Sequence, residues 1–448
     1  MRKIITFIIL IVCLSFVSAC SKNENDTIIL GGFHEEALKP RAEGGPYYIA
    51  GYKQGKEITG ILDYQYVKAF YLSYYGEDVL MISVDAVGLT SDYVKKIRKG
   101  IKEDCYINVM STHTHAGIDT MGLWGNVARD GKNEAFMDQL VELAIKSGNE
   151  AILNAKEGIV TYGQVETQDI LEDSREPYIY DKNIYQLRFV PNDQSPAARL
   201  AFYGAHAESL RGDNTLLSAD FPGEMAKIVK DKTGDNLLFF NGAIGGLIMT
   251  KVFDENDLVN SMKITANKIC DYLFQIEESV LTDKTLKKNT IKFKAKMDNT
   301  LYKYYKFLGI LKNKTTRNIF TGDYYLHTEM SLLQIGEINF VLIPGEIFPE
   351  LVWGGSYQNS AVENKNPLPL IEISKKYNIN KLIIIGLAND EVGYIVSPSD
   401  YMLNDEYPYI NNITDSRGEN HYEETNSLSL DISYQIAYQF EKLCKNSK

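Results

Sequence analysis

Cysteines are few in this chain, and their positions exclude a fold held together by disulfide bonds. Five occur in 448 residues, and two of them, Cys13 and Cys20, lie in an N-terminal segment with the features of a leader. The remaining three, Cys105, Cys270 and Cys444, are an odd and widely spaced set that fits neither a disulfide framework nor a zinc ribbon. A chain of this length must instead be stabilised by a large hydrophobic core.

Long apolar runs are also scarce, and the most pronounced one covers residues 4–16. It follows two basic residues, precedes small residues that lead to Cys20, and is too short to span a bilayer. This pattern is typical of a bacterial lipoprotein signal peptide, with an ordinary secretory signal and an incidental Cys20 as the alternative. We therefore expect a signal peptide at 1–19, lipidation of Cys20 and a polar tether at 20–29. The protein would then be anchored by lipid to a membrane of the cell envelope, facing the periplasm or the exterior.

The chain lacks an excess of basic residues, since its formal net charge is −12 and its isoelectric point is near 5.2. This balance argues against nucleic acid or anionic lipid headgroups as the main partner. A lysine-rich stretch at 286–297 alternates basic and apolar residues. Because the alternation has a period of two, we interpret it as a half-buried strand with a lysine-covered outer face rather than as an anion site.

Short apolar runs alternate with helical patterns along the chain, which predicts an α/β fold. The strand-like runs cover residues 78–87, 199–206, 236–243, 338–346 and 381–390. A stripe of apolar residues at helical spacing predicts a helix over 136–155. We find no linker, repeat or low-complexity tract after the tether, so residues 30–448 are predicted to form one domain of catalytic size.

Histidines number only six, and two of them stand two residues apart in "INVMSTHTHAG", residues 107–117. Because alternate residues of a strand project to the same side, His113 and His115 are predicted to point the same way at the end of a strand. Such a pair suits a metal ion or a proton relay. Surface or core histidines without a function are an equal alternative for this short motif taken alone.

Two further strand-like runs end on residues that bind metals. His206 closes the run in "FYGAHAES", and Glu346 closes the run in "VLIPGE". A glycine beside each, Gly204 and Gly345, permits a sharp turn where the strand stops. Strand ends of α/β sheets are common ligand sites, and two histidines with one carboxylate and an open position are typical of catalytic zinc.

The order of several motifs resembles the neutral ceramidases, zinc amidases that cleave the N-acyl bond of ceramide. These motifs are "STHTHAG", "GAH" followed by "LSADFPGE", "PGE", "GLANDEVGYIVSPSDY" and a later "HYEE". The matching stretches run over 85–424, with a poor match over 255–335. The resemblance implies stacked mixed β-sheets flanked by helices in a single large catalytic domain. We expect no counterpart of the family's C-terminal immunoglobulin-like domain.

The resemblance also implies a site. The zinc ligands would be His113, His206, Glu346 and Tyr394. His115 would stand beside the metal as a proton donor or substrate contact, and Tyr422 would direct its phenol toward the developing oxyanion.

One departure from the family concerns the nucleophile. In "NGAIGGLIMT", Ile248 occupies the place where we expect the family's nucleophilic serine. We therefore expect a metal-activated water to attack an N-acyl amide, ceramide-like or other, with His115 protonating the leaving amine. The alternative is a non-catalytic, membrane-anchored lipoprotein that keeps the fold and binds a lipid or glycan.

Four other features allow structural interpretations. Asp220 is expected to cap a helix, and Asp119 either orients a ligand histidine or holds a turn. The apolar stripe at 301–314 is interpreted as a packed helix rather than a lid. A polar stretch between residues 401 and 422 suggests a hydrophilic mouth to the site, which favours short or polar N-acyl substrates.

Overall fold

The computed structural model describes residues 28–41, 44–126 and 129–447. Most of the predicted leader and tether, including Cys20, lies outside the described residues. The first strand already begins at Ile29, the last residue assigned to the tether. Among the described residues, no helix is both long and apolar enough to cross a bilayer. Cys105, Cys270 and Cys444 are free thiols.

The described residues form twenty strands and eight α-helices. The strands are β1 (Ile29–Leu38), β2 (Gly60–Ile61), β3 (Gln65–Tyr74), β4 (Glu77–Val84), β5 (Tyr106–Ser111), β6 (Lys156–Glu166), β7 (Leu171–Asp173), β8 (Asn183–Pro191), β9 (Ala198–Tyr203), β10 (Leu216–Leu217), β11 (Asn236–Asn241), β12 (Ile248–Thr250), β13 (Ser279–Val280), β14 (Leu286–Met297), β15 (Thr315–Arg317), β16 (Tyr324–Ile335), β17 (Ile338–Leu342), β18 (Glu346–Ile347), β19 (Leu382–Ile385) and β20 (Tyr394–Ile395). The helices are α1 (Ser91–Gly100), α2 (Glu134–Leu153), α3 (Asp220–Thr233), α4 (Leu258–Leu273), α5 (Thr300–Phe307), α6 (Pro349–Trp353), α7 (Leu370–Lys376) and α8 (Asp431–Asn446). Two 3-10 turns cover Pro398–Asp400 and Glu423–Asn426.

Two mixed sheets carry the fold. The large sheet has the strand order β11-β9-β8-β6-β1-β3-β4-β5, with β13 beside β6. The second sheet has the order β14-β16-β17-β19, with β15 beside β16. Parallel pairing occurs between β4 and β5, between β9 and β11, and between β17 and β19. Three two-stranded ribbons, β10-β2, β12-β7 and β18-β20, lie outside these sheets.

The two sheets pack face to face because their strands alternate apolar residues on both sides. In β3, Phe70 and Leu72 belong to the core between the sheets, together with Phe340 of β17. The alternate residues Ala69 and Tyr71 belong instead to a core shared with α1 and α2. Strands buried on both faces of this kind are expected at the centre of a layered α/β fold.

Helices cover both outer faces of the pair of sheets. Helices α3 and α4 bury residues such as Met225 and Ile269 against β9 and β11. Helix α8 places Ile436 and Phe440 in the core on the far side of the second sheet. The architecture is therefore four layers, helix–sheet–sheet–helix, which confirms the predicted stacked mixed β-sheets flanked by helices in a single domain.

The sequence patterns located the main elements. The alternating stretch at 286–297 is strand β14, with Phe293, Ala295 and Met297 buried and most of its lysines toward solvent. The helix expected over 136–155 is α2, and the five apolar runs coincide with β4, β9, β11, β17 and β19 to within one residue at their N-terminal ends. Each of these runs is longer than its strand. The runs after β9 and β17 continue to His206 and Glu346, which belong to the candidate site described below.

The core between the sheets yields a test of stability. Phe340→Ala should lower the free energy of unfolding by about 3–5 kcal/mol, because a fully buried phenylalanine leaves a cavity that the two sheets cannot close. Phe320→Ala is the matched control, since that ring is 92% exposed and its loss should change stability by no more than about 0.5 kcal/mol. Equal midpoints and slopes for both variants in denaturant titrations would contradict this packing.

Candidate metal and active site

The predicted metal-binding residues converge because the two edges of the large sheet approach each other. Asn241, at the end of β11, donates its side-chain N–H to the carbonyl oxygen of Thr112 at 3.0 Å and accepts the backbone N–H of Ala205 at 3.0 Å. This side chain thus joins the segment after β5 to the segment after β9. The backbone N–H of His115 donates to Ala207 at 2.9 Å and closes the junction.

Three side chains meet at this junction. The Oε2 atom of Glu346 lies 3.2 Å from Nε2 of His113 and 3.1 Å from Nε2 of His206. All three residues are buried.

His113 has a φ of 66°, in the left-handed region that non-glycine residues seldom adopt. Strained backbone of this kind is typical of functional sites, and here it aims the imidazole at Glu346.

Backbone carbonyls fix the orientation of both imidazoles. Nδ1 of His113 donates to the carbonyl of Val87 at 2.6 Å, and Nδ1 of His206 donates to the carbonyl of Ile248 at 3.2 Å. A carbonyl oxygen only accepts, so the proton of each neutral ring lies on Nδ1. The Nε2 lone pairs are thereby directed toward Glu346, an arrangement that is usual for histidines that bind metal.

The electrostatics of the three groups are strongly coupled. Burial raises the pKa of Glu346, but His113 and His206 outweigh it and hold the pKa below its usual value. Burial lowers the pKa of His113, but the charge of Glu346 outweighs it and the net shift is upward. The carboxylate therefore stays ionised and attracts positive charge into the pocket.

His115 stands next to this group in a different environment. Neither of its ring nitrogens has a hydrogen-bond partner among the described residues, although its Nδ1 lies 3.4 Å from Oε2 of Glu208. Burial, followed by His113 and His206, holds the pKa of His115 well below its usual value.

Two neighbours hold the His115 ring in place. Tyr52 donates its hydroxyl to Glu208 at 2.6 Å and packs edge-on against the ring of His115. Gly51, with a φ of 101°, lies so close that a Cβ there would be 2.5 Å from the imidazole. Only glycine fits at this position.

Tyr394 and Tyr422 complete the group. Tyr394 pairs directly with Glu346 in the parallel ribbon of β18 and β20, which places the two residues side by side. Its hydroxyl lies 3.3 Å from that of Tyr422. Burial is the first cause that holds the pKa of each phenol well above its usual value, so both carry a proton that they can donate.

A buried arginine fixes the turn that carries Tyr422. Arg175 donates to Glu423 at 3.1 Å and to Glu424 at 3.0 Å, and both acids follow Tyr422 directly. It also pairs with Asp400 at 3.2 Å. A second group of potential ligand atoms on Asp400, Asp415 and His421 lies here. Arg175 and Arg417 already neutralise these carboxylates, so the group is structural.

A cavity of about 300 Å³ opens onto the site. His113, His115 and Glu346 form part of its wall, while His206 lies behind them. The remaining wall is largely aromatic and is formed by Tyr52, Trp124, Tyr302, Tyr305, Tyr394 and Tyr422.

Helix α5 covers the first half of the stripe at 301–314 and supplies Leu301, Tyr302 and Tyr305 to the wall. The expectation of a packed helix is met only in part, because Tyr304, Phe307 and Leu308 of the same stripe are exposed. The expected polar mouth was wrong in one respect, because none of the described residues 401–421 lines the cavity. Within that stretch, Arg417 instead pairs with Asp415 and with the preceding Asp400 of the charge network.

The donor set fits a zinc ion. Ligand atoms of His113, His115 and His206 lie within 4.8 Å of one another, and Nε2 of His113 is buried without a hydrogen-bond partner among the described residues. Buried polar atoms without partners require an explanation, and imidazole with carboxylate is the usual donor set of zinc. Either Glu346 or His115 can complete a site built on His113 and His206.

Two buried aspartates near the candidate ligands have structural roles. The carboxylate of Asp119 accepts backbone N–H groups of Met121, Gly122 and Trp124, so it holds a turn. Asp220 is the first residue of α3 rather than its cap, and its carboxylate accepts the N–H groups of Ser209 and Leu210. The turn after His206 is thereby tied to the start of α3.

Several residues of the site were not found from the sequence. Glu208 stands two residues after His206, the same spacing as His113 and His115, and this repeat was its only signal. Tyr52 has no signal among 30 tyrosines. Glu391 lines the cavity, and burial together with Glu346 holds its pKa well above its usual value.

These features define an α/β protein with a buried His-His-Glu cluster at the wall of an aromatic cavity. No protein-family model and no curated protein sequence matches the chain. The structure is similar to neutral ceramidase from Pseudomonas aeruginosa, with a TM-score of 0.71 and 14% sequence identity over 93% of this chain and 74% of that protein. It is also similar to a ceramidase complexed with C2, with a TM-score of 0.67 and 13% identity over 93% of this chain and 75% of that protein. The fold is therefore ceramidase-like.

The geometry predicts which substitutions release zinc. His206→Ala should weaken zinc binding by more than the roughly 10- to 100-fold that loss of an outer-shell partner causes, because it would remove a candidate ligand. His327→Ala is the matched control, since this histidine lies on β16 and contacts Thr316. Elemental analysis and competition with a chromophoric chelator measure both.

The same measurement separates the two possible ligand sets. If Glu346 is the ligand, Glu346→Gln releases zinc while His115→Ala retains it. The reverse result would transfer the ligand role to His115. Absence of zinc from the reconstituted parent protein near neutral pH would reject the site altogether.

Proposed function

We propose that the protein is a zinc-dependent hydrolase that cleaves an N-acyl amide bond. The observation that carries this proposal is the convergence of His113, His206 and Glu346 at the wall of a cavity. The ceramidase-like fold supports it, because the two similar structures are named as ceramidases. Zinc would be held by His113, His206, Glu346 and Tyr394, and when bound it would polarise an acyl carbonyl and lower the pKa of a water molecule.

His115 is suited to handle the proton of the leaving amine. Its depressed pKa keeps the ring neutral at rest, so it can accept a proton in one step and donate it in the next. The imidazolium that forms between these steps would be stabilised by the carboxylate of Glu208, 3.4 Å from Nδ1. Tyr52, which donates to the same carboxylate, would hold it in this position.

Tyr422 is suited to stabilise negative charge on the acyl oxygen. Its phenol is buried, protonated and held by the turn that Arg175 fixes, so no reorganisation is needed to donate. A preorganised donor of this kind typically contributes about 3 kcal/mol to transition-state stabilisation. Tyr394, whose hydroxyl lies 3.3 Å away, would keep the phenol oriented.

Attack by water rather than by a side chain is supported by what lines the cavity. Among the described residues, no serine, threonine or cysteine lies in its wall. The side chain of Ile248 is fully buried in the core beneath α3 and α4. Ser209 and Ser218 are also buried, and their hydroxyls bond to Thr250 and Asp63.

The cavity favours a small acyl group. A volume of about 300 Å³ is at the lower limit of the roughly 300–1,000 Å³ typical of small-molecule sites. Its aromatic walls suit an apolar group of limited length, so the substrate would be a small-molecule or lipid-like N-acyl amide. Lipidation of Cys20 would place the enzyme on the outside of a bacterial membrane, facing the periplasm or exterior.

Ile248 favours a second candidate function. A protein that had lost a nucleophilic serine would be expected to bind its ligand without turnover, as a membrane-anchored lipid- or glycan-binding lipoprotein. The two functions differ in one measurement, because only the enzyme releases an amine from an N-acyl compound when it is loaded with zinc.

Chelation and serine reagents test the proposed chemistry. Removal of zinc should abolish hydrolysis of a short N-acyl amide, and added zinc should restore it. Phosphonylating reagents should neither inhibit the enzyme nor label a serine, because no serine or threonine among the described residues lines the cavity. Stoichiometric labelling of any serine, detected by mass spectrometry, would show that a nucleophile exists and would contradict the water mechanism.

Substrate length tests the size of the pocket. Across a series in which only the N-acyl chain of one amine is lengthened, kcat/KM should be at least as high for short chains as for long ones. The physical reason is that a cavity of about 300 Å³ leaves most of a long chain in water. A steep preference for long-chain ceramide would instead assign the protein as a ceramidase in the narrow sense.

A further inference from the structure

Large apolar side chains are exposed together on and beyond helix α5. Tyr304, Phe307 and Leu308 are three and four residues apart, which places them on one side of the helix. The loop between β15 and β16 adds Ile319 and Phe320. Phe307 and Ile319 are each 85% exposed, and Phe320 is 92% exposed. Scattered exposed residues need no explanation, but a group of this kind indicates an interaction surface.

The strand pairing brings the loop and the helix to the same end of the second sheet. Met297, the last residue of β14, pairs with Tyr324 of β16, and Tyr324 pairs with Arg317 of β15. Helix α5 begins three residues after Met297. The loop at 318–323 therefore lies within two strand spacings, or about 10 Å, of the point where the chain turns into α5.

The same segment is basic in an acidic protein. Residues 299–323 contain five basic residues and one acidic residue, Asp323, although the chain as a whole has a net charge of −12. The basic residues are Lys303, Lys306, Lys312, Lys314 and Arg317. Among the described residues, only Lys312 pairs with a carboxylate, that of Glu134 at 2.8 Å. The positive charge of the other four is therefore not neutralised by an ion pair.

Aromatic side chains beside unpaired basic residues complement a membrane surface. Aromatic rings enter the boundary between headgroups and acyl chains, while lysine and arginine remain among anionic headgroups. Phe320 stands at the tip of a projecting loop, a shape that suits insertion between lipids better than contact with a flat protein surface. The segment also forms part of the cavity wall through Leu301, Tyr302 and Tyr305.

We propose that this docking face, formed by the outer side of α5 and the loop at 318–323, holds the protein against a bilayer that contains anionic lipids. Docking here would turn the α5 side of the cavity toward the membrane. The inference does not depend on the proposed hydrolase activity, because it concerns only where the protein sits. It adds a local basic surface to a chain whose overall charge is acidic.

Vesicle binding tests the docking face. A form of the protein that begins at Ser21 keeps every described element and carries no acyl chain. It should bind phosphatidylcholine vesicles containing 30 mol% phosphatidylglycerol at least about tenfold more tightly than vesicles of phosphatidylcholine alone. The preference should fall as ionic strength rises, because exposed charges are screened.

Two double variants separate the apolar and charged contributions. Lys314→Glu with Arg317→Glu should weaken binding at least about tenfold, and Phe307→Ser with Phe320→Ser should do the same. The control, Leu153→Ser with Lys227→Glu, changes exposed residues of the same types on α2 and α3 and should leave binding unaltered. Thermal unfolding should match the parent protein for all three variants.

Three results would overturn the proposal. One is no binding to the anionic vesicles, and another is binding that the two docking variants leave unaltered. The third is self-association in sedimentation velocity that Phe307→Ser with Phe320→Ser abolishes while vesicle binding is absent. That outcome would assign the face to a second copy of the chain.

Discussion

The site depends on one buried carboxylate. Glu346 is held between two imidazoles with almost no access to water, and an ionised carboxylate in such a place is costly unless positive charge or strong hydrogen bonds compensate it. The imidazoles are oriented by the carbonyls of Val87 and Ile248, so they cannot turn away to satisfy it differently. A divalent cation between the three groups would resolve this conflict, since it would supply charge and use the Nε2 lone pair of His113, which has no hydrogen-bond partner among the described residues.

The four-layer fold is the means by which these groups meet. His113 follows β5, at one edge of the large sheet, and His206 follows β9, the neighbour of the opposite edge strand β11, while Glu346 follows β17 of the second sheet. The curvature of the large sheet, fixed by Asn241, brings its edges together, and face-to-face packing supplies the carboxylate from the opposite layer. The site therefore needs both sheets in register, and neither sheet alone contains it.

The sequence predicted the main strands and the paired histidines, but it did not reveal the residues that surround His115. Strand β14 and the paired histidines were found because a period of two has a direct structural meaning. Glu208 and Tyr52 were missed because their roles come from contacts across more than 150 residues, which no local pattern records. The polar stretch after Tyr401 was misassigned to the cavity mouth for a related reason. Polar residues can be paired with one another as well as with water, and here Arg417 donates to Asp415 and to Asp400 within the protein.

The backbone of Ile248 contributes to the candidate site independently of its side chain. Its carbonyl accepts from both the backbone N–H and Nδ1 of His206, at 2.8 and 3.2 Å, and so it sets the tautomer of a predicted ligand. This contribution comes from the backbone carbonyl, so it does not depend on whether the side chain is serine or isoleucine. The isoleucine side chain meanwhile packs in the core beneath α3 and α4. In the proposed hydrolase, this position would orient a zinc ligand without supplying a nucleophile, which is the arrangement that attack by water would require.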